Sequence, residues 1–282
     1  FTQQQLFSTN EITPVLDSLR LQNPVTKPLE IAGIINEYDS LLTKEIEQTG
    51  TVGAAVAITY KNQIAYMKCF GVRKAGTRDS VDKHTVFRLA SVSKTVTGVL
   101  AGILNNEKTI NLDDKVVDYL PEFRLKNPVH TNELTLRNLL SHTTGAVPHA
   151  YDDLVEHHVP IETIISRFQQ AGETSQPGQI YGYQNVLFSL IDTILRTKTE
   201  KTYGELVAEK LFRPYGMYDA TTDYKSFESN ENKAYPHYAV AKNRYRTMRL
   251  NDRYYTTAPA AGVNASISDM AHFLLALANE ND

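Results

Sequence analysis

The chain has 282 residues, of which 41% are hydrophobic and 22% are charged, as in ordinary soluble globular proteins. This length is enough for one large domain or two smaller ones with hydrophobic cores. The net charge of −3, without a basic cluster, argues against a nucleic-acid partner, and the apolar runs are too short for a transmembrane span. Cys69 is the only cysteine, so no internal disulfide can form. We interpret it as a buried apolar residue, with a cysteine nucleophile as the alternative.

The order of patterns along the chain predicts four segments. Residues 1–29, rich in Gln, Asn and Thr, are predicted to form an extended arm. Residues 30–90 are predicted to hold a helix with Ile31, Ile35 and Leu42 on one face, followed by a hairpin of strands 52–60 and 64–72. Nearly every residue of the first strand is apolar, which predicts that both of its faces are covered. Residues 91–258 are predicted to be mainly helical, and residues 259–282 to return to the strands through one more helix.

Apolar periodicity predicts the individual helices after the hairpin. They begin at residue 93 and recur at 134–141, 161–169, 186–195, 203–212 and 267–279. Gly98 and Gly102 predict close approach of another element to the first of these helices, and Ser266 and Asp269 have the spacing of a cap for the last. Residues 235–255 are predicted to be loops. This order indicates an α+β fold with a large helical insertion, and two strands alone make a poor sheet, so we expect further strands to pair with the hairpin.

Ser91 and Lys94 lie where an extended run meets a helical pattern. At positions i and i+3 of a helix, their side chains would project from one face. Burial or a nearby cation can lower the pKa of a lysine until it accepts a serine proton, and the helix N-terminus favours negative charge on the serine oxygen. The pair is therefore a candidate acyl-transfer site, although Ser91 could instead be a simple helix-start residue and Lys94 a solvated cation. Ser80 and Lys83 repeat the spacing in polar surroundings without the helical pattern.

Two further segments carry suitable chemistry. Tyr183 and Asn185 form a Y-x-N tripeptide between a Pro-Gly turn and a predicted helix. A tyrosine can shuttle protons, and an asparagine can hold both a lysine and a substrate amide. The alternatives are a packing role for Tyr183 and a helix cap for Asn185. His142, in L-L-S-H-T-T-G, is either a general base or, as we favour, a structural histidine bonded to backbone.

Other kinds of site are disfavoured. The sequence lacks the G-x-S-x-G nucleophile elbow, the P-loop and the G-x-G-x-x-G fingerprint. Glu156, His157 and His158 do not have a zinc spacing, because adjacent histidines on a helix point in different directions. We interpret these three residues as a solvated polar segment.

Taken together, the motifs resemble the serine β-lactamase and penicillin-binding-protein superfamily, in particular class C β-lactamases and the related D,D-peptidases and esterases. F-R-L-A-S-V-S-K-T at residues 87–95 resembles the nucleophile segment, and L-L-S-H-T-T-G resembles the family's L-L-x-H-T-S-G. P-G-Q-I-Y-G-Y-Q-N resembles the second catalytic motif, and A-A-G-V-N-A-S, leading into D-M-A, resembles G-[GL]-x-S-T-x-x-D-[ML]-A. The matches keep the family's order over most of the chain, from about residue 52 to residue 277.

The resemblance implies a β-lactamase/transpeptidase-like α+β fold, with an antiparallel sheet flanked by helices and a large helical subdomain. It implies that Ser91 is the acylated nucleophile, with its own N–H as one oxyanion donor, and that Lys94 takes or relays the proton. Tyr183 would act as base and acid and help to activate water, and Asn185 would hold Lys94 and the substrate. The implied substrate is a β-lactam, a D-Ala-D-Ala peptide or an ester, with no metal or organic cofactor and a periplasmic or secreted location.

The sequence departs from this family in two places. The third motif, K-[ST]-G or H-x-G, does not follow Asn185, and the K-x-G at Lys74 precedes the nucleophile. That motif lies on a strand that supplies the second oxyanion donor, so we expect the C-terminal strands to be missing from this chain. Ala261 stands where class C β-lactamases usually carry tyrosine. A D-alanyl-D-alanine carboxypeptidase or penicillin-binding protein, a small-ester esterase and a non-catalytic penicillin- or peptidoglycan-binding module therefore remain alternatives.

Overall fold

The computed structural model describes residues 31–279, and the chain divides into two compact units with a boundary between Gln48 and Thr49. Helix α1 (Ile31–Thr49) confirms the helix predicted from the spacing of Ile31, Ile35 and Leu42, and all of it except its last residue belongs to the first unit. None of the residues of α1 is buried. The arm predicted for residues 1–29 lies outside the described residues.

The second unit begins with the predicted hairpin. Strands β1 (Gly53–Tyr60) and β2 (Gln63–Gly71) pair antiparallel. Lys61 and Asn62 join them with φ angles of 47° and 58°, the left-handed values of a type I′ turn whose twist suits a hairpin. Every residue of β1 is only half-buried, so the prediction of full cover on both faces is wrong for the part of the chain described. Among the described strands, β1 and β2 pair only with each other.

Two smaller antiparallel sheets follow. Strand β3 (Phe87–Arg88) pairs with β6 (Asn264–Ala265), and β4 (His237–Ala241) pairs with β5 (Arg244–Thr247). The β4–β5 hairpin lies within residues 235–255, where the prediction of loops is wrong. Most of its residues are exposed, so no buried apolar alternation marks it in the sequence.

The remaining elements of the second unit include, among the described residues, eleven α-helices. They are α2 (Ser93–Asn106), α3 (Val116–Tyr119), α4 (Pro128–Glu133), α5 (Leu136–Leu140), α6 (Asp152–Glu156), α7 (Ile161–Ser166), α8 (Asn185–Thr199), α9 (Tyr203–Val207), α10 (Tyr224–Ser229), α11 (Ala258–Ala261) and α12 (Ile267–Asn279). Of these, α2, α8 and α12 are the longest. Helix α5 starts after Thr135, whose side chain accepts the backbone N–H of Asn138, so it begins later than predicted. The predicted helix 203–212 is α9 continued by a π-helical turn, Ala208–Phe212. These elements confirm the α+β class.

The core is a single cluster of buried apolar side chains, to which α2, α8 and α9 all contribute. Val96, Leu100 and Leu104 form the buried face of α2, as their spacing predicts. Gly98 and Gly102 lie on the exposed face, and a Cβ at either position would meet nothing within 4 Å. The predicted close approach at these glycines is therefore wrong.

Helix α12 begins with the predicted cap. The N–H of Asp269 donates to Ser266 Oγ at 3.1 Å, and the N–H of Ser266 donates to Asp269 Oδ2 at 3.0 Å. This reciprocal pair satisfies two backbone donors at the start of α12 and fixes the end of β6. Within residues 31–279, no helix has both the length and the apolar character needed to cross a membrane.

Candidate active site

Ser91 lies on a sharp turn between β3 and α2. The turn is a single stretch of 3₁₀ helix, Ala90–Val92, and Ala90 has a left-handed φ of 46°, which is uncommon for a residue with a Cβ. The N–H of Leu89 donates to the carbonyl of Val263 at 2.9 Å, which ties the turn to the chain before β6. Ser91 is exposed at this bend, where a substrate can reach its hydroxyl.

The structure brings the four predicted site residues together. The hydroxyl of Tyr183 donates to Ser91 Oγ at 2.7 Å, and Lys94 Nζ lies 3.5 Å from the same oxygen. Lys94 Nζ also donates to Asn185 Oδ1 at 2.8 Å and to the carbonyl oxygen of Ala260 at 2.9 Å. Ser91 Oγ therefore lies within reach of two groups that can exchange protons with it.

Burial controls the protonation of Lys94. Its Nζ lies 4.6 Å from the ring centre of Tyr183 and 5.5 Å from that of Phe188. Burial lowers the pKa of Lys94 from 10.5 to about 8, while the charge of Asp152 acts in the opposite direction. A neutral lysine keeps two N–H donors, which Asn185 and Ala260 accept, so its lone pair is left for the Ser91 hydroxyl.

Tyr183 and Asn185 are positioned by the start of α8. Burial raises the pKa of Tyr183 above 10.0, so this hydroxyl keeps its proton near neutral pH and Lys94 is the stronger candidate base. The cap position of α8 is Gln184, and Asn185 is the first residue of the helix, so the alternative that Asn185 is a helix cap is wrong. Its buried side chain instead contacts Lys94 and Asp152.

His142 supports the ring of Tyr183. The two ring centres are 4.4 Å apart, and the rings of Phe188 and Tyr181 lie 5.3 Å and 5.7 Å from that of His142. His142 Nδ1 accepts the backbone N–H of Gln184 at 3.1 Å, and the His142 carbonyl accepts that of Gly182 at 2.7 Å. Burial, with the charge of Lys94, lowers the pKa of His142 to about 4. These contacts agree with the interpretation of His142 as a structural histidine bonded to backbone.

The segment around Ala261 forms the wall behind Lys94. Ser93 Oγ accepts the N–H of Val263 at 2.9 Å, and the carbonyl of Ala260 accepts from Lys94. A Cβ on Gly262 would lie 2.7 Å from the Cα of Ala258, so a glycine is needed for this close turn. Ala261, the residue before Gly262, is buried, and its side chain is a single methyl group.

Sequence reasoning missed Asp152, at the start of α6. Its Oδ2 accepts from Asn185 Nδ2 at 2.8 Å and lies 2.9 Å from His149 Nδ1. The ring centre of His149 is in turn 5.2 Å from that of Tyr183. No motif spacing links Asp152 to Asn185, because the two residues are distant in sequence and meet only in the folded chain.

The repeated spacing at Ser80 and Lys83 does not form a comparable pair. Ser80 forms an extended bridge with Val72, and Lys83 is exposed. Without a helix, side chains at i and i+3 do not share a face. Cys69 lies half-buried on β2, and burial with the charge of Asp82 raises the pKa of its thiol, which disfavours a thiolate nucleophile.

The polar run at residues 156–158, which begins at the last residue of α6, contacts several different partners. Glu156 accepts from the Tyr254 hydroxyl at 2.7 Å, and His158 Nε2 lies 3.7 Å from Asp252. His157 Nδ1 lies 2.6 Å from the carbonyl of Asp153. The three side chains therefore bind separate partners and do not converge on one point, as the ligands of a metal ion would.

Comparison with known proteins identifies the family of the chain. The family model described as "Beta-lactamase" matches residues 38–282. Beta-lactamase-like protein 2 of Dictyostelium discoideum is 26% identical over 256 residues, covering 87% of this chain and 46% of the relative. The D-alanyl-D-alanine-carboxypeptidase/endopeptidase AmpH of Escherichia coli (strain K12) is 27% identical over 222 residues, covering 77% of this chain and 56% of AmpH. A beta-lactamase of Yersinia enterocolitica is 27% identical over 203 residues, covering 72% of this chain and 50% of that enzyme.

Solved structures show the same fold. The octameric penicillin-binding protein homologue from Pyrococcus abyssi matches with a TM-score of 0.73 at 19% identity, over 88% of this chain and 57% of that chain. The chain spans about half the length of the curated relatives it matches. The family match covers most of the sequence, and the chain belongs to the beta-lactamase family, in the superfamily of serine β-lactamases and penicillin-binding proteins.

Proposed function

We propose that this protein is a serine hydrolase that forms an acyl-enzyme at Ser91. One observation carries the proposal: Ser91 Oγ lies 2.7 Å from the Tyr183 hydroxyl and 3.5 Å from Lys94 Nζ. A nucleophile within reach of a base whose pKa is lowered is the general arrangement for covalent catalysis. The membership of the chain in the beta-lactamase family supports the same reaction type.

In the proposed acylation, Ser91 Oγ attacks the substrate carbonyl carbon and Lys94 Nζ takes the hydroxyl proton. The backbone N–H of Ser91 stabilises the negative charge that develops on the carbonyl oxygen. When the bond to the leaving group breaks, the Tyr183 hydroxyl gives a proton to that group and regains one from Lys94. Asn185 Oδ1 and the Ala260 carbonyl hold Lys94 in place through both changes.

In the proposed deacylation, a water molecule adds to the acyl carbon, and the Tyr183 hydroxyl accepts the water proton while it passes its own proton to the neutral amine of Lys94. The same relay later returns a proton from Lys94 to Ser91 Oγ. The ester bond to Ser91 Oγ then breaks and this oxygen regains a proton, which restores the starting hydroxyl. Tyr183 suits the step because its hydroxyl already contacts the oxygen that must be released.

The proposed substrates are β-lactams or related amides, as in a class C-like β-lactamase. The second candidate is a D-alanyl-D-alanine carboxypeptidase or a small-ester hydrolase, which is favoured by the small side chain of Ala261 beside Ala260 and by the likeness to AmpH. A periplasmic or secreted location fits either substrate class. A non-catalytic binding module of the same fold is the outcome that the experiment must exclude.

Turnover of three substrates tests the proposal. Purified protein is given a chromogenic cephalosporin, a p-nitrophenyl ester and a D-Ala-D-Ala peptide, beside Ser91→Ala and the matched control Ser80→Ala. We expect turnover of at least one substrate, a loss of about 10³-fold or more in Ser91→Ala, and no change in Ser80→Ala. Binding without turnover would favour the non-catalytic module, and turnover that survives Ser91→Ala would reject the assignment of the nucleophile.

A further inference from the structure

We propose that Asp152 is a positioning residue of this site, which fixes the amide of Asn185 and, through that amide, the amine of Lys94. The inference rests on the proposed function of Ser91 and Lys94. It follows from two contacts in series: Asp152 Oδ2 lies 2.8 Å from Asn185 Nδ2, and Asn185 Oδ1 lies 2.8 Å from Lys94 Nζ.

The two contacts determine which way the amide points. A carboxylate only accepts hydrogen bonds, and a protonated lysine only donates them. The amide of Asn185 satisfies both neighbours in one orientation, with Nδ2 toward Asp152 and Oδ1 toward Lys94. Rotating the amide by half a turn would lose both hydrogen bonds and place two oxygens in contact. Asp152 therefore selects the orientation that presents an acceptor to Lys94, and the second N–H of Asn185 Nδ2 is left for a substrate.

The burial of Asp152 favours a role in the site over a role in stability. Its side chain is 17% exposed, and both of its hydrogen bonds, to Asn185 and His149, fall on Oδ2. Its Oδ1 is buried and finds no hydrogen-bond partner among the described residues. An unpaired buried carboxylate oxygen is costly to the fold. A buried polar atom without a partner calls for an explanation, and a role in catalysis is one of the recognised explanations.

The charge of Asp152 also acts on Lys94. Burial lowers the pKa of Lys94, and the negative charge of Asp152 offsets part of that effect. The charged and titratable groups that face Asp152 from the surrounding elements are His149, Lys94, Tyr183 and Tyr254. Replacing the carboxylate with a neutral amide should therefore lower the pKa of Lys94 further and loosen the orientation of Asn185. These two consequences can be measured separately.

Two matched variants separate charge from position. Asp152→Asn removes the charge at nearly constant shape, and Asp152→Glu keeps the charge but moves the carboxylate. Asp153→Asn is the control, because Asp153 is the next residue on α6 and its side chain is exposed. Thermal unfolding of each variant shows that the fold is kept, and if Asp152→Asn does not fold, Asp152→Glu carries the test.

The first measurement is the rate of acylation by a fluorescent penicillin, or by p-nitrophenyl acetate, between pH 6 and pH 10. For Asp152→Asn we expect a plateau rate lower by about 10-fold or more, as for loss of a hydrogen bond to a charged group. We also expect the acidic limb of the plot of acylation rate against pH to move to lower pH, because loss of the Asp152 charge favours the neutral amine of Lys94. Asp152→Glu should lower the plateau without moving the limb, and Asp153→Asn should match the wild type.

The second measurement does not depend on activity. Carbon-13 NMR of isotopically labelled lysine, with Lys94 assigned by its loss in Lys94→Arg, reports the titration of this amine. We expect a lower pKa in Asp152→Asn than in the wild type and no change in Asp153→Asn. Equal rates and equal titrations in Asp152→Asn and Asp153→Asn would overturn the inference. Failure of the wild type to be acylated, with the NMR shift present, would overturn the proposed function and leave the link between Asp152 and Lys94 in place.

Discussion

The pKa of Lys94 makes a quantitative prediction about how acylation depends on pH. If the neutral amine takes the Ser91 proton, the rate should rise as pH increases through the pKa of Lys94, which is about 8. The rate must rise and not fall with pH, because protonation of Lys94 removes the lone pair that accepts the Ser91 proton. At lower pH the amine is charged and the rate should fall about tenfold per pH unit.

The size of the effect follows from burial. At pH 7.4 an amine with the ordinary pKa of 10.5 would be neutral in about one molecule in 10³, whereas an amine with a pKa of about 8 is neutral in about one in five. Burial against Tyr183 and Phe188 therefore increases the population of competent base by about 200-fold. Removing the large ring with Phe188→Ala should raise the pKa of Lys94 and move the acidic limb to higher pH.

The assay is the second-order rate of acylation by a fluorescent penicillin, or by p-nitrophenyl acetate, from pH 6 to pH 10. Lys94→Arg should lose about 10²-fold or more at every pH, because arginine stays protonated throughout this range. Lys83→Arg, in the repeated Ser80–Lys83 spacing, is the matched control and should behave as the wild type. A flat profile across this range, or a midpoint near 10, would show that Lys94 is not the base and would refute the reasoning.

Three further predictions concern the framework of the site. Gly262→Ala should lower the unfolding temperature and the acylation rate together, because its Cβ would overlap Ala258 and overpacking typically costs about 1–3 kcal/mol; unchanged values would contradict the need for glycine. Since His142 titrates near 4 when folded and near 6.5 when unfolded, thermal stability should fall as pH falls from 6.5 to 4, and His142→Gln should flatten that dependence; equal slopes would show that His142 is not responsible. Ser266→Ala should cost about 1 kcal/mol in urea unfolding through loss of its bond to the Asp269 N–H, and an unaltered midpoint would rule out the cap as a source of stability.

Features that depend on neighbouring residues were predictable from the sequence. The polar break Lys61-Asn62-Gln63 between two apolar runs predicts a hairpin. The structure confirms the hairpin and places its turn at Lys61 and Asn62, with Gln63 already in the second strand. The apolar residues Val96, Leu100 and Leu104 of α2 were predictable as a buried helix face because their spacing follows the helical period. The juxtaposition of Ser91 and Lys94 is of the same kind, since both residues belong to one turn and the start of one helix.

Features that depend on distant contacts were not predictable. Asp152 and Asn185 are distant in sequence and meet only in the folded chain, so no local pattern encodes their hydrogen bond. The left-handed φ of Ala90 is likewise imposed by the ties of its neighbours to the chain before β6, since alanine has no local preference for it. Gly98 and Gly102, four residues apart on α2, predict a close contact with another element. Both glycines face solvent instead, because the side of a helix that is covered depends on the elements that pack against it.

Covalent acylation of Ser91 is the step on which the proposed chemistry depends most directly. The protein is mixed with a penicillin or a p-nitrophenyl ester, quenched within the first turnover, digested and mapped by mass spectrometry. We predict one acyl group per chain, on the peptide that contains Ser91, and no adduct in Ser91→Ala. An adduct on another residue, or an adduct that persists in Ser91→Ala, would contradict the account.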